Sequence, residues 1–140
     1  MMTTEETIVC EKDSGIAVVT LNRPQKRNAV TVAMKERMLD ILDELEADDE
    51  VKVVVVTGAG KAFCAGADIG EFEQRKSEDT VSRLRKKHML RSIYELEKPI
   101  IGAINGAAAG EGSQWLLAFD MNVAAEEATL SWPATRLGTL

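Results

Sequence analysis

Lys98–Asp120, KPIIGAINGAAAGEGSQWLLAFD, holds the densest structural information in the chain. After Pro99, the apolar run Ile100–Ile104 has strand length and predicts a buried strand. Asn105-Gly106 interrupts it, and Ala107-Ala108-Ala109-Gly110 carries so little side chain that backbone can pass close to a neighbour. From Gly112 onward, Trp115, Leu116 and Phe119 fall three and four residues apart, which predicts a helix. A strand, a small-residue turn and a helix N-terminus together aim free backbone N–H groups at one point. That is a ready site for a developing negative charge. The same residues equally suit a tight strand-to-helix crossover that holds no ligand.

Beyond this stretch, Met121–Ala124 predicts a short strand, Glu126-Glu127 a turn, and Leu130–Gly138 an irregular segment around Pro133. Before it, Thr80–Leu96 has helical spacing, with Leu84, Leu90, Ile93, Tyr94 and Leu96 as expected buried positions. Its run Arg83-Leu84-Arg85-Lys86-Lys87-His88 is the most basic in the chain and reads as a solvated helix face, with His88 a surface histidine. Glu71–Ser77 is polar and predicts a mobile connection. Ahead of it comes a glycine-rich loop, Thr57–Asp68, directly after the β-branched run Val53–Val56, which is short enough for a fully buried strand. Two nucleotide motifs can be tested on that loop, and both fail. A P-loop needs Gly where Val55 stands and Ser or Thr where Ala62 stands. The dinucleotide fingerprint needs Gly where Phe63 stands.

Nearer the N-terminus, Ile8–Glu11 and Ile16–Leu21 flank Asp13-Ser14-Gly15 and predict a hairpin. Asn22-Arg23-Pro24 ends the second strand, and Gln25-Lys26-Arg27-Asn28 follows as an exposed basic loop, either solvated charge or a phosphate contact. Thr31 is placed to cap a helix reaching about Ala47, with Met34, Met38, Ile41, Leu42 and Leu45 on one face as core. Asp48-Asp49-Glu50 ends it. Helix followed by strand, repeated along the chain, predicts an α/β fold with crossover connections. No internal repeat is evident in the residues themselves.

The chain has 140 residues, enough for one domain over 1–140 with one core. A net charge of −6 argues against a nucleic-acid partner, whose footprint is basic. Apolar runs are strand-sized, short of the ~20 residues a membrane span needs, and MMTTEETIV has neither the basic nor the apolar part of a signal peptide. Two cysteines make no disulfide framework, and one histidine makes no zinc set, so no metal site is expected. These features suit a reduced cytoplasmic protein and are compatible with an organelle matrix.

Four segments stand in a recognisable order: Leu21-Asn22-Arg23-Pro24 with Asn28-Ala29; Gly60–Ile69; Lys98–Ile101 with Asn105–Gly110; and Phe119-Asp120 leading to Pro133 and Leu137-Gly138. Together they closely resemble the enoyl-CoA hydratase/isomerase (crotonase) superfamily, over the chain from Ile8 onward. The resemblance implies a crotonase-like α/β spiral of ββα units. Members are roughly double this length, so the chain reads as an apparently truncated N-terminal half. It also implies an acyl-CoA thioester ligand, no cofactor beyond the CoA moiety, and a homo-oligomer, a trimer or dimer of trimers.

In that family, two backbone N–H groups stabilise the anion formed at the thioester carbonyl. Carried over by motif, the donors are Ala67 and Glu111, the latter at the middle glycine of the family's Gly-Gly-Gly. The CoA moiety is placed along Lys26, Arg27 and Ala29 and along Ala65, Ala67, Asp68, Ile69 and Gly70. Hydratases of the family also carry two glutamates that hold and activate water, and here those positions are Gln114 and Ala134. Glutamine can hydrogen-bond a water but cannot take its proton; alanine does neither. The expectation is therefore hydratase/isomerase-type acyl-CoA chemistry with hydration impaired. The alternatives are another branch (isomerase, decarboxylase, hydrolase or dehalogenase) and a non-catalytic acyl-CoA-binding subunit. Glu111, Gln114, Trp132 and Arg136 are the candidate polar groups, and Cys64 and Ser113 are nucleophiles without a visible base.

Overall fold

The computed structural model describes residues 6–74 and 88–138. Strands β1 (Ile8–Asp13) and β2 (Ile16–Leu21) form the expected hairpin, antiparallel from Ile8 opposite Leu21 to Asp13 opposite Ile16. Its turn needs two left-handed residues, and Ser14 and Gly15 supply them at φ 52° and 83°. A 3-10 turn at Pro24–Lys26 leads to helix α1 (Val32–Ala47). There the Thr31 hydroxyl accepts the Met34 N–H at 3.1 Å, a cap worth about 1 kcal/mol. All five expected core positions of α1 are buried.

The rest of the chain is built in repeating ββα units. β3 (Val53–Gly58), β4 (Ala62–Cys64), and helices α2 (Ile69–Gln74) and α3 (Met89–Tyr94) form the first unit. β5 (Ile100–Ile104), β6 (Ala107–Ala109) and α4 (Glu111–Ala118) form the second. β7 (Met121–Ala124), β8 (Leu130–Ser131) and α5 (Ala134–Leu137) form the third. The first strand of each unit joins one sheet, in order β1-β2-β3-β5-β7, and the second joins another, in order β4-β6-β8. Every pairing after the hairpin is parallel. Consecutive units therefore stack turn upon turn, a repeat of geometry that the residues themselves do not display.

Parallel strands are normally covered on both faces, and Val54, Val56, Ile100 and Ile104 are buried accordingly. β7 is different. It lies at the sheet edge with all four residues exposed, and Leu117, Leu130 and Trp132 are exposed too. Among the described residues no helix is long and apolar enough to cross a membrane.

Three local expectations need correction. Of the connection expected to be mobile over Glu71–Ser77, Glu71–Gln74 is instead part of a helix, Ile69–Gln74, because Asp68 Oδ1 accepts the Glu71 N–H at 3.2 Å and starts it; residues 75–77 lie outside the described residues. The helix expected over Thr80–Leu96 is seen as Met89–Tyr94, with Ile93 buried but Tyr94 exposed and Leu96 past its end; residues 80–87, with Leu84 and most of the basic run, lie outside the described residues. Leu130–Gly138 is not irregular: Leu130–Ser131 pairs with β6, and a short helix follows Pro133.

Candidate functional site

β4 and β6 are parallel neighbours, so their C-terminal ends emerge side by side. Ligands of parallel α/β sheets gather at such ends. β4 runs into Ala65-Gly66-Ala67, and β6 runs through Gly110 into α4. Gly66 takes φ +95°, and a Cβ there would lie 2.9 Å from the Ala109 carbonyl oxygen and 3.5 Å from Glu111 N. The two segments touch at this glycine.

The Gly66 carbonyl accepts Val30 N–H at 2.8 Å, and Asp68 N–H donates to the Val30 carbonyl at 3.0 Å. This single parallel bridge turns the intervening Ala67 N–H away from Val30. On the other side, Gly110 N–H donates to the Ser131 carbonyl at 2.9 Å, and its carbonyl accepts Gln114 N–H at 3.0 Å. Glu111 N–H, in the first turn of α4, is one of the helix-end donors that lack an intrahelical acceptor. Neither the Ala67 nor the Glu111 N–H has an acceptor among the described residues.

The proposed CoA-binding segments lie together. Ala65 N–H donates to the Arg27 carbonyl at 2.9 Å, tying the Lys26–Ala29 loop to the end of β4. Lys26 and Arg27 are exposed as expected, but Asn28 is fully buried, which corrects the reading of Gln25–Asn28 as a wholly exposed loop. Arg27 and Asn28 are both left-handed, at φ 50° and 58°, and this turns the Asn28 amide inward. Its Oδ1 accepts Arg23 N–H at 2.8 Å, and its Nδ2 donates to the carbonyls of Ala59 at 3.0 Å and Ala62 at 2.9 Å. Asn105 grips the same loop, donating to the carbonyls of Gly60 at 3.0 Å and Ala62 at 3.1 Å. Asp68 is occupied: its carboxylate pairs with Arg23 at 2.7 Å. The Arg23 guanidinium, and then the Glu71 N–H, hold the Asp68 carboxyl below the usual carboxylate range. Ile69 and Gly70 are exposed at the start of α2.

Gln114 is half-buried in the first turns of α4, and its side chain has no partner among the described residues. Ala134 opens α5, three residues beyond the Ser131 that holds Gly110, so its segment is brought to the same strand ends. Trp132 and Arg136 are exposed. The Ser113 hydroxyl is buried and donates to the Ala108 carbonyl at 2.8 Å, a packing role rather than a nucleophile's. Cys64 is buried beneath Gly112, and burial pushes its thiol up to about 11. At pH 8 it should react with iodoacetamide after half-buried Cys10, whose thiol burial also raises. Peptide mass mapping of the native protein checks this, and earlier labelling of Cys64 would show that the β4 end opens. The sequence reading does not single out Lys35, whose ammonium pairs with the Glu111 carboxylate from a distant segment.

A chain of parallel ββα turns, with loop N–H groups at the strand ends, is the architecture of the crotonase fold. The family profile described as enoyl-CoA hydratase/isomerase matches residues 11–140. Enoyl-CoA hydratase ACTT3 of Alternaria alternata is 43% identical over 126 residues, which are 89% of this chain and 42% of that protein. The short-chain-enoyl-CoA hydratase of Clostridium acetobutylicum is 37% identical over 133 residues, 94% of this chain and 51% of that protein. Among solved structures, Pseudomonas aeruginosa AtuE superimposes with a TM-score of 0.88 at 30% identity, covering 96% of this chain and 54% of that one. The chain belongs to the enoyl-CoA hydratase/isomerase family, and it spans about half the length of the curated relatives it matches.

Proposed function

We propose that the chain binds an acyl-CoA thioester and polarises its carbonyl between the backbone N–H groups of Ala67 and Glu111. The observation that carries this is the pair of donors without acceptors at adjoining strand ends, held by Gly66 and Gly110. Donors fixed in advance near the site of developing charge are often the largest contribution an enzyme makes. Lys26 and Arg27, on the loop tied to Ala65, supply positive charge for the nucleotide phosphates. The family relationship supports the same ligand class.

The chemistry stops short of efficient hydration. Adding water across an enoyl double bond needs a group to take the water's proton and one to deliver a proton to carbon. Gln114 and Ala134 stand where hydratases of the family carry glutamates, and neither side chain does proton transfer. Calorimetric titration with crotonyl-CoA, with hydration followed by loss of enoyl-thioester absorbance, tests the proposal. Binding with little hydration is expected. Gln114→Glu combined with Ala134→Glu should raise hydration by about 10²–10⁴-fold, the usual contribution of positioned acid–base groups. Absence of binding to any CoA ester would overturn the proposal, and rapid hydration by the unaltered chain would move the proton-transfer role to another group. The exposed apolar residues of β7 and α4 fit association into the oligomer that the family resemblance implies, which belongs to the same proposal.

A further inference from the structure

Glu111 places a carboxylate on the very residue whose N–H is a proposed oxyanion donor. Uncompensated, that charge would oppose the build-up of negative charge on a thioester oxygen nearby. The structure supplies a compensating charge. Lys35 Nζ lies 2.7 Å from Glu111 Oε2, with 23% and 19% of the two side chains exposed. Lys35 sits one turn into α1, its N–H donating to the carbonyl of the cap Thr31 at 3.1 Å. The start of α1 is pinned to the Ala67 loop by the Val30 bridge, and Val32 N–H donates to Glu71 Oε2 at 2.7 Å. The ammonium is thus presented from the same framework that holds the first donor. Both charges reach the Cys64 thiol beneath the site in opposite senses, Glu111 raising it and Lys35 lowering it.

We infer that Lys35 is a positioning residue for acyl-CoA binding, which neutralises Glu111 beside the thioester oxygen and so permits its polarisation. This rests on the acyl-CoA reading above. A bare ion pair joining α1 to α4 would serve stability alone, and the two roles are separable by ligand. Lys35→Met should weaken crotonyl-CoA binding about tenfold, the scale of one unit charge acting across several ångströms in a partly buried site. It should also reduce the red shift of the bound enoyl-thioester absorbance, a direct sign of carbonyl polarisation. Affinity for free CoA, which lacks the thioester, should stay unchanged. Lys35→Arg should keep most of the affinity and the shift, and adding Glu111→Gln to Lys35→Met should restore both. Should Lys35→Met not fold, Lys35→Gln with and without Glu111→Gln reads the same coupling.

Equal losses for CoA and crotonyl-CoA, an unchanged absorbance shift, or no rescue by Glu111→Gln would overturn the inference while leaving the acyl-CoA reading intact. A wild-type chain that binds no CoA ester would overturn both.

Discussion

Asn28→Ala is expected to lower the unfolding free energy by about 3–5 kcal/mol, a large share of the ~5–15 kcal/mol that a domain usually has. The side chain is fully buried and makes three hydrogen bonds to backbone of two separate segments. The Ala62 carbonyl would keep Asn105 as a donor, but the Arg23 N–H and the Ala59 carbonyl would lose the side-chain partner that meets them. Each buried group left unpaired costs about 1–3 kcal/mol. Alanine is also less at ease than asparagine at φ 58°, which adds to the loss. Urea denaturation followed by circular dichroism measures the effect. Asn28→Asp keeps the acceptor but turns a carboxylate oxygen toward the Ala59 and Ala62 carbonyls in a fully buried site, so at pH 7 it should cost at least as much as alanine. A cost below about 1 kcal/mol for alanine would mean that water replaces the amide and that the 59–62 loop is held by Asn105 alone.

Gly66→Ala should act on function more than on folding. The residue needs φ +95°, which disfavours any side chain, and its new Cβ would stand 2.9 Å from the Ala109 carbonyl oxygen. That oxygen belongs to backbone in a paired strand and cannot swing aside. Relief must come from parting the Ala67 loop from the start of α4, and this separates the two proposed donors. Misplacement on the ångström scale costs about 10²-fold in well-oriented reactions. On the function proposed here, crotonyl-CoA polarisation and any turnover should therefore fall about 10²-fold, with free CoA bound within a few-fold of wild type. If CoA and its ester weaken together, the glycine shapes the CoA groove and the two N–H groups do not share the thioester oxygen.

Local structure was legible wherever one residue type has one dominant cause. The apolar stripe from Met34 to Leu45 identified the buried face of α1, and Thr31 its cap, because helical spacing and a short side-chain acceptor leave little freedom. Ile100–Ile104 was equally plain. Tyr94 was misjudged because spacing alone cannot tell which apolar residue of a short helix meets a neighbour. The ββα repeat escaped the residues entirely: its units agree in geometry, not in composition, and family resemblance supplied it. Asn28 was placed in a basic loop by its neighbours, although its inward turn depends on two successive left-handed residues. Lys35 carried no signal at all. Its meaning arises only where α1 meets the start of α4, a contact that no spacing rule reaches.

The far end of α1 shows how the parts depend on one another. No basic residue occupies its last turn, so the helix has no local cation for its terminal carbonyls. Lys98 supplies one from just before β5, its ammonium donating to the carbonyls of Leu45 and Asp48. Glu97 N–H meanwhile donates to the Glu46 carboxylate at 3.2 Å. A helix ended in this way gains its closing contacts only from a segment 50 to 53 residues further along the chain. Fraying at Leu45 and release of the β5 approach are thus one event, and the two segments should open and close as a single cooperative unit.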